Sequence, residues 1–153
     1  MPSPRLRWCV AAGLALACAA AYPAEPVQLI TPAEAALPAG AVPSFEVRGS
    51  PTRSPSITVN SPHPGGGAVY SPLDFKLTFR AYGGAKIDPD SVVVTYVKEP
   101  DIDITARIKP FLTADGIDIA QAEVPPGLHT FWIELKDTDG RSTGREVDFQ
   151  VTK

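Results

Sequence analysis

Apolar and polar residues alternate along the second half of the chain in short runs that are typical of β-strands. The clearest run begins at a Pro-Pro-Gly corner at 125–127, places Phe131, Ile133 and Leu135 on one face, and ends at an Asp/Gly turn at 137–140. This pattern predicts a half-buried strand that enters from a tight corner and leaves through a hairpin.

Similar but shorter runs recur from about Pro55 to Lys153. They place these side chains on shared strand faces: Ile57 and Val59; Leu73, Phe75, Leu77 and Phe79; Val92, Val94 and Tyr96; Ile117 and Ile119; Val147, Phe149 and Val151. A shorter, less regular run contains Ile102, Ile104 and Ile108. Turn residues separate the runs, and no segment of useful length has the helical periodicity that the crossovers of a parallel sheet require. The sequence therefore predicts an all-β fold, a single antiparallel β-sandwich of about seven strands over residues 55–153.

The first 24 residues have the order of a secretory signal peptide. Arg5 and Arg7 precede an uncharged run from Trp8 to Ala21, and small residues continue to Ala24. The apolar run is too short to cross a hydrocarbon layer of ~30 Å as a helix, and no later segment is longer. We expect an exported protein, periplasmic or extracellular, with no transmembrane segment.

Cys18 leaves a second form of the mature protein open. Together with the preceding residues 14–17 it resembles the lipobox of bacterial lipoproteins, in which the cysteine is acylated, although Ala15 stands where leucine is usual. The alternative is cleavage near Ala21 or Ala24, which discards the cysteine. The only other cysteine is Cys9, so the cleaved form has no thiol for a disulfide, a catalytic site or a metal site.

Residues 25–54 are rich in proline and alanine and predict an extended, semi-rigid linker. Within it, Thr31 is suited to cap a short helix that has Pro32 at its first position and Glu34 at its third. With Leu29, this stretch is either a linker with transient helicity or a docking element for a partner.

Four short motifs follow one another along the predicted sandwich. They are Ile-Asp-Pro-Asp-Ser-Val at 87–92, Asp-Ile-Thr-Ala-Arg at 103–107, Pro-Gly-Leu-His-Thr at 126–130 and Asp-Thr-Asp-Gly-Arg at 137–141. In this order they resemble the bacterial immunoglobulin-like domains of exported and cell-surface proteins. Two features depart from that family: residues 98–102 replace a tight two-residue turn, and Arg141 stands where asparagine is more usual.

The resemblance implies adhesion, spacing or partner binding, and the family has no shared catalytic residues. In such sandwiches a tyrosine at one corner bonds to nearby backbone, and we expect His129 to do the same through a ring nitrogen. An isolated imidazole lacks the partners of a general base, and the chain has no Gly-x-Ser-x-Gly motif. We therefore expect a protein that is not an enzyme.

Trp132 is the best candidate for partner binding in the sequence. Alternation points it away from the core, beside Thr130, Glu134 and Lys136. An exposed tryptophan is a good anchor for a protein or a sugar because it buries a large area at little cost in side-chain entropy. The alternative is that it packs over neighbouring side chains or a folded-back linker.

Acidic residues near the predicted turns allow a second interpretation. If Asp88, Asp90 and Asp101 converge at one end of the sandwich, their carboxylates supply the oxygen ligands that Ca²⁺ requires. The alternative is that each aspartate caps its own turn. No other cofactor is indicated.

Charge restricts the partner class. Removing Arg5 and Arg7 with the signal leaves 12 of the 14 basic residues against 17 acidic ones. An acidic chain without a basic patch argues against nucleic acid as a partner.

The function expected from the sequence is a non-enzymatic exported module that binds an envelope or extracellular protein or supports envelope structure. The alternative is a calcium- or carbohydrate-binding module.

Overall fold

Strands account for about half of the residues that the computed structural model describes, which are 25–44, 53–63 and 65–152. The strands are β1 (Val27–Gln28), β2 (Ser56–Ser61), β3 (Val69–Tyr70), β4 (Leu73–Arg80), β5 (Ile87–Tyr96), β6 (Ile102–Asp103), β7 (Leu112–Thr113), β8 (Gly116–Glu123), β9 (Gly127–Asp137) and β10 (Ser142–Thr152). Two single-turn helices, α1 (Pro32–Ala35) and α2 (Thr105–Ile108), and a 3-10 turn (Lys109–Phe111) complete the described elements.

The strands form two mixed sheets. The first has the order β1-β8-β4-β2, with β7 also paired to β8, and the second has the order β3-β10-β9-β5-β6. The long strands pair antiparallel, as predicted, but β1 runs parallel to β8 and β3 runs parallel to β10. Six of the predicted strands are present as β2, β4, β5, β8, β9 and β10. The one predicted around Ile102, Ile104 and Ile108 differs, because this segment forms the two-residue β6 and then α2. The other short strands, β1, β3 and β7, were not predicted, because a strand of two residues leaves no alternation in the sequence.

The inward faces of the two sheets form one apolar core. On β4 every second residue is buried and the residues between them are exposed, as alternation predicted. Across the sandwich, the Phe75 ring lies 5.7 Å from that of Phe131 and 6.4 Å from that of Phe149, measured between centroids. The all-β sandwich predicted from the sequence is confirmed.

The predicted signal peptide and the predicted lack of a transmembrane segment are separate from the fold of the sandwich. The predicted signal peptide, including Cys18, lies outside the described residues. Within the described part, no helix has the length and apolar character needed to cross a membrane.

Candidate functional site

The N-terminal segment, residues 27–40, crosses one open side of the sandwich from the first sheet to the second. At its start Val27 pairs with Ala122 of β8 in the first sheet. At its other end Ala39 forms a β-bridge with Lys98, just beyond the end of β5 in the second sheet. The segment therefore joins the two sheets.

Leu29 and Ile30 make this segment part of the core. They are 0 % and 1 % exposed and belong to the same apolar cluster as the strand residues. Residues 27–40 therefore differ from the linker predicted over 25–54, of which residues 45–52 lie outside the described part of the chain. Proline does not prevent docking here, because Pro32 occupies the start of α1, where a helix lacks a partner for the backbone N–H in any case.

A capping box shapes α1, as the sequence predicted. The Thr31 hydroxyl accepts from the Glu34 backbone N–H at 3.2 Å, and the Glu34 carboxylate accepts from the Thr31 N–H at 2.8 Å. A helix of one turn is unstable alone, so its contacts with the sandwich must hold it.

The strongest of these contacts is an ion pair between Glu34 and Arg107 of α2. The guanidinium donates to both carboxylate oxygens, at 2.6 and 2.9 Å, and also to the Leu29 carbonyl at 2.9 Å. Bidentate pairing of this kind gives orientation as well as energy. Arg107 lowers the pKa of Glu34 from 4.5 to about 2.

Because the pKa of folded Glu34 lies below its unfolded value, this carboxylate stabilises the fold above about pH 5, and the contribution disappears as the pH falls towards 2. We expect Glu34→Gln to lower the free energy of unfolding by about 1–2 kcal/mol at pH 7 and by nearly nothing at pH 2. Urea denaturation from pH 2 to 7 measures this. Asp118→Asn, which removes the solvent-exposed pair with Lys76, is the control and should cost less at neutral pH. A Glu34→Gln deficit that does not depend on pH would contradict the assignment.

Lys98 joins the connection after β5 to the N-terminal segment. Its side chain is buried and donates to the carbonyls of Ala35 and Leu37 at 3.2 and 3.1 Å. Gly40 approaches so closely that an added Cβ would lie 2.5 Å from the Lys98 carbonyl oxygen. The longer connection after β5 is therefore the docking point for the N-terminal segment.

His129 forms the predicted corner contact. Because a carbonyl can only accept, Nε2–H donates to the Pro125 oxygen at 2.7 Å, and Nδ1 accepts from the Tyr96 hydroxyl at 2.8 Å. Burial lowers the pKa of His129, and the nearby Lys98 cation lowers it further. Both ring nitrogens of the neutral imidazole are satisfied, so His129 acts as a structural bridge.

Trp132 is not the exposed anchor that the sequence predicted. It lies outside the core cluster, as alternation required, but only 8 % of its surface is exposed. Its indole N–H donates to Glu134 at 2.8 Å. Of the polar neighbours predicted with it, Thr130 is partly buried and Lys136 is exposed. The ring therefore packs on the outer side of the sheet and offers little surface to a partner.

The three proposed calcium ligands do not converge. Asp88 and Asp90 lie at the start of β5, whereas Asp101 follows its far end, beyond Tyr96. The Asp88 carboxylate instead accepts from the Asp90 N–H at 3.0 Å and so caps its own turn. Within the described residues, no group of three or more His, Cys, Asp or Glu side chains is placed to hold a metal ion.

Arg141 connects two turns, a role that the sequence alone did not indicate. Its Nε donates to the buried Asp137 carboxylate at 2.8 Å, and its Nη2 donates to Asp139 at 2.7 Å and to the Tyr82 carbonyl at 3.0 Å. The side chain therefore fastens the β9–β10 hairpin to the turn between β4 and β5. An asparagine would be too short to reach Tyr82 as well.

An apolar end surface, defined by Tyr70, Pro126 and Leu128, is the exposed feature that sequence reasoning missed. Tyr70 is 70 % and Leu128 is 68 % exposed. Tyr70 pairs with Thr152 on one side of β10 and Leu128 pairs with Gln150 on the other, so both side chains lie on the outer face of the second sheet. The sequence did contain a signal for this surface, because Leu128 is an apolar residue at an outward-facing position of β9.

A groove of about 250 Å³ adjoins this surface. It is lined by Gln28, Ile30, Pro32, Ser71, Glu123, Val124, Pro125 and Pro126.

Comparison of the chain with protein-family models, with curated proteins and with solved structures gave no match.

Proposed function

We propose that the protein is an exported, non-enzymatic module with an immunoglobulin-like fold that binds a protein partner in the cell envelope or outside the cell. The strand order supports the fold. An immunoglobulin sandwich places its strands A, B and E in one sheet and C, F and G in the other. Here β2, β4 and β8 share the first sheet, and β5, β9 and β10 share the second.

The corner at the start of β9 gives further support. A tyrosine near the start of strand F bonds to upstream backbone in many immunoglobulin-like sandwiches. His129 occupies the equivalent place on β9 and bonds to Pro125, four residues upstream. The histidine performs the corner function with a different side chain.

The observation that carries the binding proposal is the apolar end surface. Tyr70 and Leu128 are each more than two thirds exposed, whereas the other large apolar side chains of the second sheet are mostly buried. Exposed apolar side chains on one face of a sheet, near a groove, are typical of protein-binding surfaces. The partner is therefore expected to bury Tyr70 and Leu128.

Capture from an envelope extract tests this surface. We expect Leu128→Asp to reduce the recovery of specific partners at least about tenfold, because a carboxylate buried in an apolar contact is costly. Val93→Asp is the matched control, since Val93 is 42 % exposed on the same sheet and lies away from Tyr70. Equal loss with both variants, or no loss with Leu128→Asp, would contradict the proposed surface.

Export and anchoring rest on the sequence of residues 1–24. Signal cleavage near Ala21 or Ala24 gives a mature protein without cysteine, whereas lipidation retains an acylated Cys18 at its amino terminus. The intact mass of the exported protein distinguishes the two forms. No observation on the described residues favours the calcium- or carbohydrate-binding alternative.

A further inference from the structure

One edge of the second sheet has backbone groups that pair with no other described strand. β10 pairs with β9 along its length, but on its other side it pairs only with β3, at Val151 and Thr152. β2 approaches β10 from the first sheet, and no backbone hydrogen bond joins these two strands. The free edge, residues 142–150 of β10, therefore has no strand partner within the described part of the chain.

The pairing of β9 identifies which groups point to the free edge. Thr130 accepts from the Val97 N–H, and the Thr138 N–H donates to Lys86, so even-numbered residues of β9 direct their backbone groups towards β5. Odd-numbered residues of β9 therefore face β10, and their partners there are also odd-numbered, as with Phe131 and Val147. The even-numbered residues of β10 consequently direct N–H and C=O groups outward from the sheet edge.

The outer face of the free edge is negatively charged, whereas Arg145, opposite Ile133, lies in the alternate side-chain phase. Glu146 and Asp148 are exposed, and their side chains lie on the outer face of the sheet, two residues apart. Neither makes an ion pair with another described residue. Pairing of this edge with a second copy of β10 would bring the carboxylates of both copies together, and like charges on paired strands are destabilising.

We propose that the free edge of β10 is the site where the partner adds an antiparallel β-strand, and that this strand carries basic side chains at alternate positions. This inference rests on the proposed function and names its binding mode. An added strand would satisfy the outward N–H and C=O groups of β10. Lysine or arginine at every second position would lie opposite Glu146 and Asp148, and the strand would end beside Tyr70, next to the apolar end surface.

Synthetic strand peptides test the proposal by fluorescence anisotropy with the purified protein. The probe is a labelled acetyl-Thr-Lys-Val-Lys-Val-Lys-Thr-amide. In antiparallel pairing with β10, when the lysines face Glu146 and Asp148, the lysine N–H groups point to β10 and the valine N–H groups point away. We expect N-methylation of the lysines to weaken binding at least about tenfold, because hydrogen bonds to β10 are lost, and N-methylation of the valines to have little effect. The peptides have the same charge, so a purely electrostatic attraction cannot separate them.

Protein variants test the charge. Reversal at both Glu146→Lys and Asp148→Lys should abolish saturable binding of the unmodified peptide. Asp74→Lys is the control, since Asp74 is exposed on β4, which has paired neighbours on both sides. Circular dichroism verifies that each variant is folded. No saturable binding, or equal weakening by both N-methylated peptides, would overturn the edge proposal. Loss of partners in Leu128→Asp would still support the proposed function, so the two failures are distinguishable.

Discussion

Leu29→Ala is expected to lower the free energy of unfolding by about 3 kcal/mol, the usual cost of removing a fully buried leucine side chain. Leu29 is completely buried, and its carbonyl accepts from Arg107. Its loss would leave a cavity under the N-terminal segment where that segment joins the two sheets. Urea denaturation followed by tryptophan fluorescence or circular dichroism measures the change.

Leu128→Ala is the matched control, because the same atoms are removed from a side chain that is 68 % exposed. We expect this variant to change the free energy of unfolding by no more than about 0.5 kcal/mol. If residues 27–40 were an undocked linker, both substitutions would have equally small effects. That result would contradict the placement of Leu29 in the core.

Asp137→Ala is expected to cost a similar amount, about 3 kcal/mol, for an electrostatic reason. The Asp137 side chain is fully buried and accepts from the Asp139 and Arg141 backbone N–H groups at 3.0 and 2.9 Å, as well as from the Arg141 guanidinium. Alanine would leave these donors without their acceptor and the arginine without its buried counter-charge. Thermal and urea denaturation at neutral pH both report the loss.

Asp139→Ala tests whether the loss of stability at this turn depends on burial of the carboxylate or on its charge alone. The Asp139 carboxylate also pairs with Arg141, but its side chain is 56 % exposed. Exposed pairs contribute little, so we expect a loss of no more than about 1 kcal/mol. Equal destabilisation by the two variants would show that the buried carboxylate has no special role in holding the hairpin.

The strands with long alternation were predictable because burial on one face leaves a period of two in the sequence. β4 carries that signal over its full length and β9 over most of its length, and the inward position of His129 follows from the phase of Phe131. Single pairs of residues leave no such period. β1 and β3 could therefore not be predicted from the sequence, although β1 directly precedes Leu29 and Ile30, which belong to the core.

The candidate site depended more on contacts between distant parts of the chain. Sequence reasoning found the capping box of Thr31 and Glu34, but nothing local indicates that Arg107, more than 70 residues later, completes it. The roles of Lys98 and Arg141 also depend on distant partners, Ala35 and Leu37 for Lys98 and Tyr82 for Arg141, which the sequence does not indicate. Trp132 shows a second limit of sequence reasoning. Alternation predicts which face of a strand carries a side chain, but not whether other side chains cover it.

The proposed function requires that the outer face near Leu128 meets a protein partner. A photo-crosslinking amino acid placed at position 128, in cells that export the protein, tests this most directly, with the same group at position 93 as the control. We predict a discrete protein adduct from position 128 and none from position 93. Absence of an adduct at position 128, or the same adducts from both positions, would contradict the account.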